Sequence, residues 1–389
     1  MKNIYFVIFC FCSLCVFSQT SPVEIKFDLE NMEKSDLGLS DFVESIEYIP
    51  LETKDECLIG RGMLFDYDET HIVVTDCDTE SVYLFDRKGR FLRTISSKGG
   101  GPEEFINTHN VFLDSDHNIL IEGIGKALCF DKQGKFLYST PLPIDDRGAD
   151  AYFRGLLLRP AESYVFRDST YNVYMLYDKR GRLVKEAVKS IPIPLGKDPN
   201  YRISYKWKPI RPVYIYQNTP HVREYLNDTI YTINELNEFK PKYILNLGKY
   251  KVTPEIQADI MHFEERIRSK AVITDIIELP DKLIMKYFHD WKNYSCYYDK
   301  KDQKFYKFES AGYPNDYDGG IDLLIGGVQK NRYIQTAFTA DDFLSHLEQK
   351  KKQNRKIKGP KSAVEAFDKL AKKVDPEDNP IIMILKLKE

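Results

Sequence analysis

Two sets of residues in this chain have the types and spacing to do chemistry. The first is acidic. Asp76, Asp78, Glu122 and Asp168 each follow an apolar run that reads as a strand. Carboxylates at matched positions of repeated strands converge when the repeats superpose, and Ca²⁺ takes about six to eight such oxygens. The same side chains also cap turns, as Asp commonly does. Apart from this Ca²⁺, no cofactor is expected. The second set is aromatic and basic. Residues 201–217 read YRISYKWKPIRPVYIYQ, in which Tyr205 and Trp207 alternate with Arg202 and Arg211, and Arg223 follows shortly after. Rigid rings beside planar guanidiniums stack on sugar faces and hold anionic groups of glycans or peptides. A strand with aromatic core positions and solvated lysines would read the same way.

Other chemistries find less support. The seven histidines include no H-x-x-x-H pair, and no Gly-x-Ser-x-Gly nucleophile elbow occurs. Gly99-Gly100-Gly101-Pro102 is followed by two glutamates where a phosphate cradle needs Lys and Ser or Thr, so it reads as a connection between repeats. Residues 350–361 carry seven basic and no acidic side chains, a pattern of a solvated helix face or an anion-attracting one.

The elements that must position these groups come from a repeat. Residues 71–95, 118–140 and 164–186 each give an apolar strand, a polar break, a strand ending in an aromatic residue and Asp, a Gly-containing turn and another strand. The turns are Asp86–Gly89, Asp131–Gly134 and Asp178–Gly181, spaced by 45 and 47 residues. Asp bonds its own backbone two residues on, and Gly accepts the positive φ of a tight hairpin. Alternation at Val82 and Leu84, and at Val173 and Met175, puts one strand face inside. Weaker copies at 229–245 and 295–308 carry Asn234 and Asp299 at the turn. A sixth unit can be drawn from 321–328 and 332–338, with the C-terminal strand 380–388 and N-terminal strands 23–29 and 46–52. Helical spacing of Ile256, Ile260, Phe263 and Ile267 predicts an amphipathic helix near 254–271. A second helical insertion near 340–374 is split at Gly359-Pro360. The expected fold is therefore all-β: a six-bladed β-propeller with inserted helices, closed by its N- and C-terminal strands as one domain over 19–389.

At these residues the chain resembles a family. IPLETKDECLIGRG (49–62), the blade IVVTDCDTESVYLFDRKGRFLRTI (72–95), GGGPEEF (99–105), LNDTIYTI (226–233) and DNPIIMILKLK (378–388) resemble the exported six-bladed β-propeller proteins of Bacteroides-type bacteria, with NHL-like blades. The resemblance implies fold and export and transfers no catalytic residue. Glu122-Gly123 departs from it, standing where an Asp is usual.

Met1–Ser18 has one Lys, an apolar run of about 14 residues and a small-residue end, the pattern of a secretory signal peptide. The run is shorter than the roughly 20 residues of a membrane-spanning helix. Cleavage after Ser18 is the expectation, with lipidation at Cys15 as the alternative, placing the protein in the periplasm or at the cell surface. Cys57, Cys77, Cys129 and Cys296 then remain, read mainly as free thiols, with a Cys57–Cys77 pair as the rival. Of 389 residues, 42% are hydrophobic and 30% charged, so a packed core is affordable, and a net charge of −3 gives no basic field for nucleic acid. The functional expectation is an exported binding or scaffold protein for a glycan or peptide. The alternative is a metal-dependent lyase or hydrolase at a propeller channel mouth.

Overall fold

The computed structural model describes residues 21–143, 148–166, 169–189, 193–194, 213–223, 227–309, 312–323, 328–351 and 355–389. The chain is mostly β, folded into small antiparallel meanders. Sheet one runs Met63–Tyr67, His71–Asp76, Ser81–Asp86 and Phe91–Ser97. Sheet two runs Thr108–Leu113, Ile119–Gly123, Lys126–Phe130 and Phe136–Pro141; sheet three runs Ala151–Phe153, Leu156–Phe166, Ser169–Asp178 and Leu183–Lys189. Sheet four runs Val213–Tyr216, Thr219–Arg223, Thr229–Ile233 and Phe239–Asn246, and sheet five Ala271–Glu278, Lys282–His289, Lys292–Asp299 and Lys304–Lys307. Sheet six joins Val328–Lys330, Tyr333–Phe338, Ile381–Leu387 and Val43–Pro50, and a single parallel pair, Ile215 with Lys330, links it to sheet four.

The Asx turns sit where the sequence puts them. Asp86 Oδ1 accepts from the amides of Lys88 and Arg90 at 2.9 and 3.0 Å, and Asp131, Asp178 and Asn234 repeat the same pair of bonds. Asp299 takes the amides of Lys301 and Asp302 instead. Gly89, at φ +80°, leaves no room for a Cβ, which would stand 2.1 Å from the Pro50 carbonyl of sheet six.

Burial corrects the alternation. Val82, Tyr83, Leu84 and Phe85 are all buried, because neighbouring sheets cover both faces of the third strand. The clusters show this pairwise. Val82 and Leu84 of sheet one pack with Ile119 and Leu128 of sheet two. Leu120 of sheet two meets Leu157 of sheet three, and Leu158 of sheet three meets Val222 of sheet four. Ile230 of sheet four packs with Met285 of sheet five, and Ile284 of sheet five with Ile334 and Met383 of sheet six. Ile382 and Ile384 of sheet six then pack with Ile72 and Phe85 of sheet one.

Three expectations about elements change. The strand expected at 321–328 does not form over 321–323, which belong to a loop held by a bridge between Tyr313 and Leu323; the strand begins at Val328. Val23–Lys26 pairs in parallel with Phe239–Asn246 of sheet four instead of joining sheet six. The helix expected near 254–271 is two short pieces, Pro254–Ala258 and Phe263–Ile267. Asp259 interrupts it: its carboxylate accepts from the His262 amide and ring, and from Arg266. Ile256, Phe263 and Ile267 are still buried together. The second insertion is Ala340–Lys351 and Lys361–Ala371, anchored by Phe343 and Phe367.

The sequence motifs at the two chain ends meet. Asn379 Nδ2 donates to the carbonyls of Glu52 and Cys57, both at 2.8 Å, and its Oδ1 accepts from the Ile59 amide at 2.9 Å. In the GGGPEEF loop, Glu104 folds back to accept from the Gly101 amide at 2.8 Å, and Phe105 plugs the core between sheets one and two. Cys57, Cys77, Cys129 and Cys296 are free thiols.

Candidate functional site

The first strands of five sheets line one small cavity of about 70 Å³, through Asp66, Val111, Tyr152, Tyr214 and Lys330. Asp66 is buried, bonds the Leu113 amide of sheet two at 2.9 Å and pairs with Lys330 of sheet six. Charge lining this cavity thus joins sheets.

The described acidic candidates, Asp76, Asp78 and Glu122, each have their own surroundings. Asp76 ends the second strand of sheet one, and its carboxylate accepts from Gly60, Asp78 and Thr79 amides at 3.1–3.2 Å and from the Thr79 hydroxyl. Asp78 is exposed in the same turn. Glu122, in sheet two, lies 2.7 Å from Arg159 Nε of sheet three, both fully buried, and accepts the Ala149 amide at 2.6 Å. Among the described residues no three His, Cys, Asp or Glu side chains form a metal-holding group. Asp168, Arg202, Tyr205, Trp207 and Arg211 lie outside the described residues. Arg223 is buried at the end of its strand and donates to the Ile273 carbonyl, tying sheet four to sheet five. In the 350–361 run Arg355 pairs with Asp322 and Lys358 with Asp316, which ties this segment to the loop ahead of sheet six.

The strongest constellation was not visible in the sequence. Glu278, 1% exposed, ends the first strand of sheet five. Its carboxylate accepts from Tyr214 (3.0 Å) and Tyr243 (2.8 Å) of sheet four, from Lys242 Nζ (3.0 Å) and from Lys300 Nζ (2.9 Å). Burial raises the Glu278 pKa, but Lys300 and Lys242 outweigh it and hold the group below its ordinary value. His221 stacks on Tyr214 with ring centroids 4.7 Å apart. Its Nδ1 faces the Thr219 carbonyl at 2.8 Å and so carries the proton; its Nε2 accepts from Lys242 at 2.8 Å. Burial, then Lys242, pushes its pKa down to about 4, so the ring is neutral and its 3.6 Å approach to Glu278 is no ion pair. Burial also lowers Lys242. A buried carboxylate is tolerated only with its lone pairs filled, and this one has its donors from two sheets. The backbone of Glu278 adds a third: its amide and carbonyl bond the Gln329 side chain of sheet six, both at 2.8 Å.

Beside this cluster opens a cavity of about 330 Å³. Tyr216, Leu279, Pro280 and Leu387 supply its apolar walls, and Gln217, Asn331, Arg332, Lys388 and Glu389 its polar edge. Arg332 is fixed by the Leu387 carbonyl at 2.9 Å and Glu44 at 2.7 Å. A hollow of this size, with apolar walls, a polar edge and perturbed titratable neighbours, is a candidate small-ligand site. The only signal in the sequence was a Glu ending the apolar run AVITDII.

Fold and cavity together define a mostly β protein of small, largely four-stranded sheets with a hollow where three of them meet. The chain belongs to the family described as Domain of unknown function (DUF4934), whose model matches residues 23–386. It is similar in structure to a candidate exported protein of Bacteroides fragilis, 17% identical with a TM-score of 0.67, over 95% of this chain and 100% of that one. A member of the DUF4221 family from Bacteroides vulgatus is 11% identical with a TM-score of 0.44, over 89% of this chain and 97% of that one. No curated protein matches the chain.

Proposed function

We propose that the chain is an exported six-bladed β-propeller that binds a segment of glycan or peptide in the cavity beside Glu278. The cyclic order of core contacts, from sheet one through sheet six and back to sheet one, supports the propeller. The blades are NHL-like in their Asx-turn meanders. The signal-peptide pattern of Met1–Ser18 supports export to the periplasm or cell surface, as does the likeness to a candidate exported protein. Among the described residues, no helix is long and apolar enough to cross a membrane.

The observation that carries binding is the cavity itself: an aromatic and aliphatic hollow backed by a rigid, fully donated carboxylate. The Glu278 carboxylate is held by four side-chain donors and serves as an anchor for the walls. The hollow is preorganised, so little ordering is lost when a ligand enters. The test is a glycan and peptide binding screen of the purified protein, repeated with Tyr216→Ala. Tyr216 is only half-buried, so the substitution should leave the fold intact and weaken a cavity ligand about tenfold or more. A screen without a binder, or binders indifferent to Tyr216→Ala, would sink the proposal.

A further inference from the structure

The hairpin joining Lys282–His289 to Lys292–Asp299 turns on two residues, Asp290 and Trp291, with His289 paired to Lys292. Both turn residues have positive φ, 44° and 60°. A two-residue hairpin of this hand asks for Asn-Gly or Asp-Gly. Asp suits its position. Trp at φ +60° does not, because its Cβ meets the backbone there, and Gly would remove that cost. The turn at Arg154-Gly155 in sheet three uses Gly in the same position.

The ring gains little from the fold in return. Trp291 is 46% exposed and touches Phe288 only edge-on, with centroids 5.8 Å apart. The turn is nevertheless held firmly. Arg268 Nε donates to Asp290 at 2.8 Å, and the Asp290 amide donates to the Arg268 carbonyl at 3.2 Å. A strained residue that persists because its surroundings fix it points to use. Here what is presented is a partly exposed indole, beside the exposed side chains of Arg268, Asp290 and Lys292.

We infer that Trp291 is a stacking platform for a neutral glycan chain, with Asp290 and Arg268 hydrogen-bonding the hydroxyls at the sugar's edge. A pyranose with equatorial hydroxyls has an apolar C–H face that fits an indole and a polar rim that fits a carboxylate and a guanidinium. A membrane surface would need a contiguous apolar patch, and the charges of Arg268, Asp290 and Lys292 interrupt one. The hairpin lies at the other end of strand Lys282–His289 from Glu278, so this site is separate from the cavity and does not depend on it.

The probe is cellohexaose, whose pyranose rings are all-equatorial. Trp207 and Trp291 are the only tryptophans, so a Trp207→Phe background isolates the emission of Trp291. Millimolar cellohexaose should shift that emission to the blue. By calorimetry Trp291→Phe should keep affinity within about threefold, since a ring remains, and Trp291→Gly should lose about tenfold or more. Trp291→Gly should also raise the melting temperature by about 1 °C or more, because it relieves the turn. Tyr216→Ala should leave this binding unchanged. An emission that does not respond, a Gly variant that binds as well as the parent, or a Gly variant that melts lower would each overturn the inference. The last would show that the ring is there for Phe288.

Discussion

His221 is where a single side chain most strongly couples this fold to pH. In the unfolded chain an imidazole takes its proton near 6.5; in the fold, burial and then Lys242 hold that event down to about 4. Between those values the unfolded state binds more protons, so stability falls as pH falls. The contribution is complete above pH 6.5 and lost progressively towards pH 4, about 3 kcal/mol for the full shift. Glu278, held below its ordinary value, acts with the same sign and adds its loss at the acid end. Urea unfolding at several pH values between 7 and 4 should show the decline. In His221→Gln the decline should flatten by nearly one proton, with lower stability at pH 7 from the disturbed stack on Tyr214. An unchanged slope would mean that His221 is protonated in the fold.

At the scale of elements, the turns can be separated by what their glycines touch. Gly89 and Gly155 have similar positive φ, 80° and 75°. A Cβ on Gly89 would strike the Pro50 carbonyl of the next sheet, whereas one on Gly155 meets nothing within 4 Å. Gly155→Ala should therefore cost only the conformational penalty, about 1 kcal/mol. Gly89→Ala should cost about 3 kcal/mol, because backbone of sheet six must also move. Denaturation midpoints of the two variants check this, and equal losses would show that the sheet one to sheet six contact carries no strain. These turns were legible in the sequence because everything they need lies within five residues: an Asx side chain, two amides and a Gly. Sheet six was only partly legible, since its strands come from 43–50, 328–338 and 381–387 and no local pattern joins them. The Glu278 cluster was illegible for the same reason. Tyr214, His221, Lys242, Glu278 and Lys300 span almost 90 residues and two sheets, and each alone reads as an ordinary strand residue. The carboxylates at Asp76 and Glu122 were legible by position only, and local amides or an arginine on the neighbouring sheet took up their oxygens.

For the molecule as a whole, the N-terminal segment acts as a clasp. Val23–Lys26 edges sheet four, Glu33–Lys34 edges sheet five, and Val43–Pro50 completes sheet six. Covering these edges removes open strand surface that would pair with other chains. The decisive join is between Val43–Pro50 and Ile381–Leu387, registered from Pro50 opposite Ile381 to Val43 opposite Leu387. Residues of the closing strand serve two interfaces at once. Ile381, Met383, Leu385 and Leu387 pack towards sheet five, and Ile382 and Ile384 towards sheet one. Losing one large core side chain typically costs about 2–5 kcal/mol, against a whole-domain stability of about 5–15. Truncation after Asn379 removes all six and should leave a chain without a cooperative thermal transition. Deleting Val23–Lys26 takes away one buried core residue, Ile25, and should only lower the melting temperature. Circular dichroism melts of the two deletions therefore rank the joins. If the chain lacking Ile381–Leu387 melts like the parent, the sheets are independent modules and the proposed closed ring is wrong.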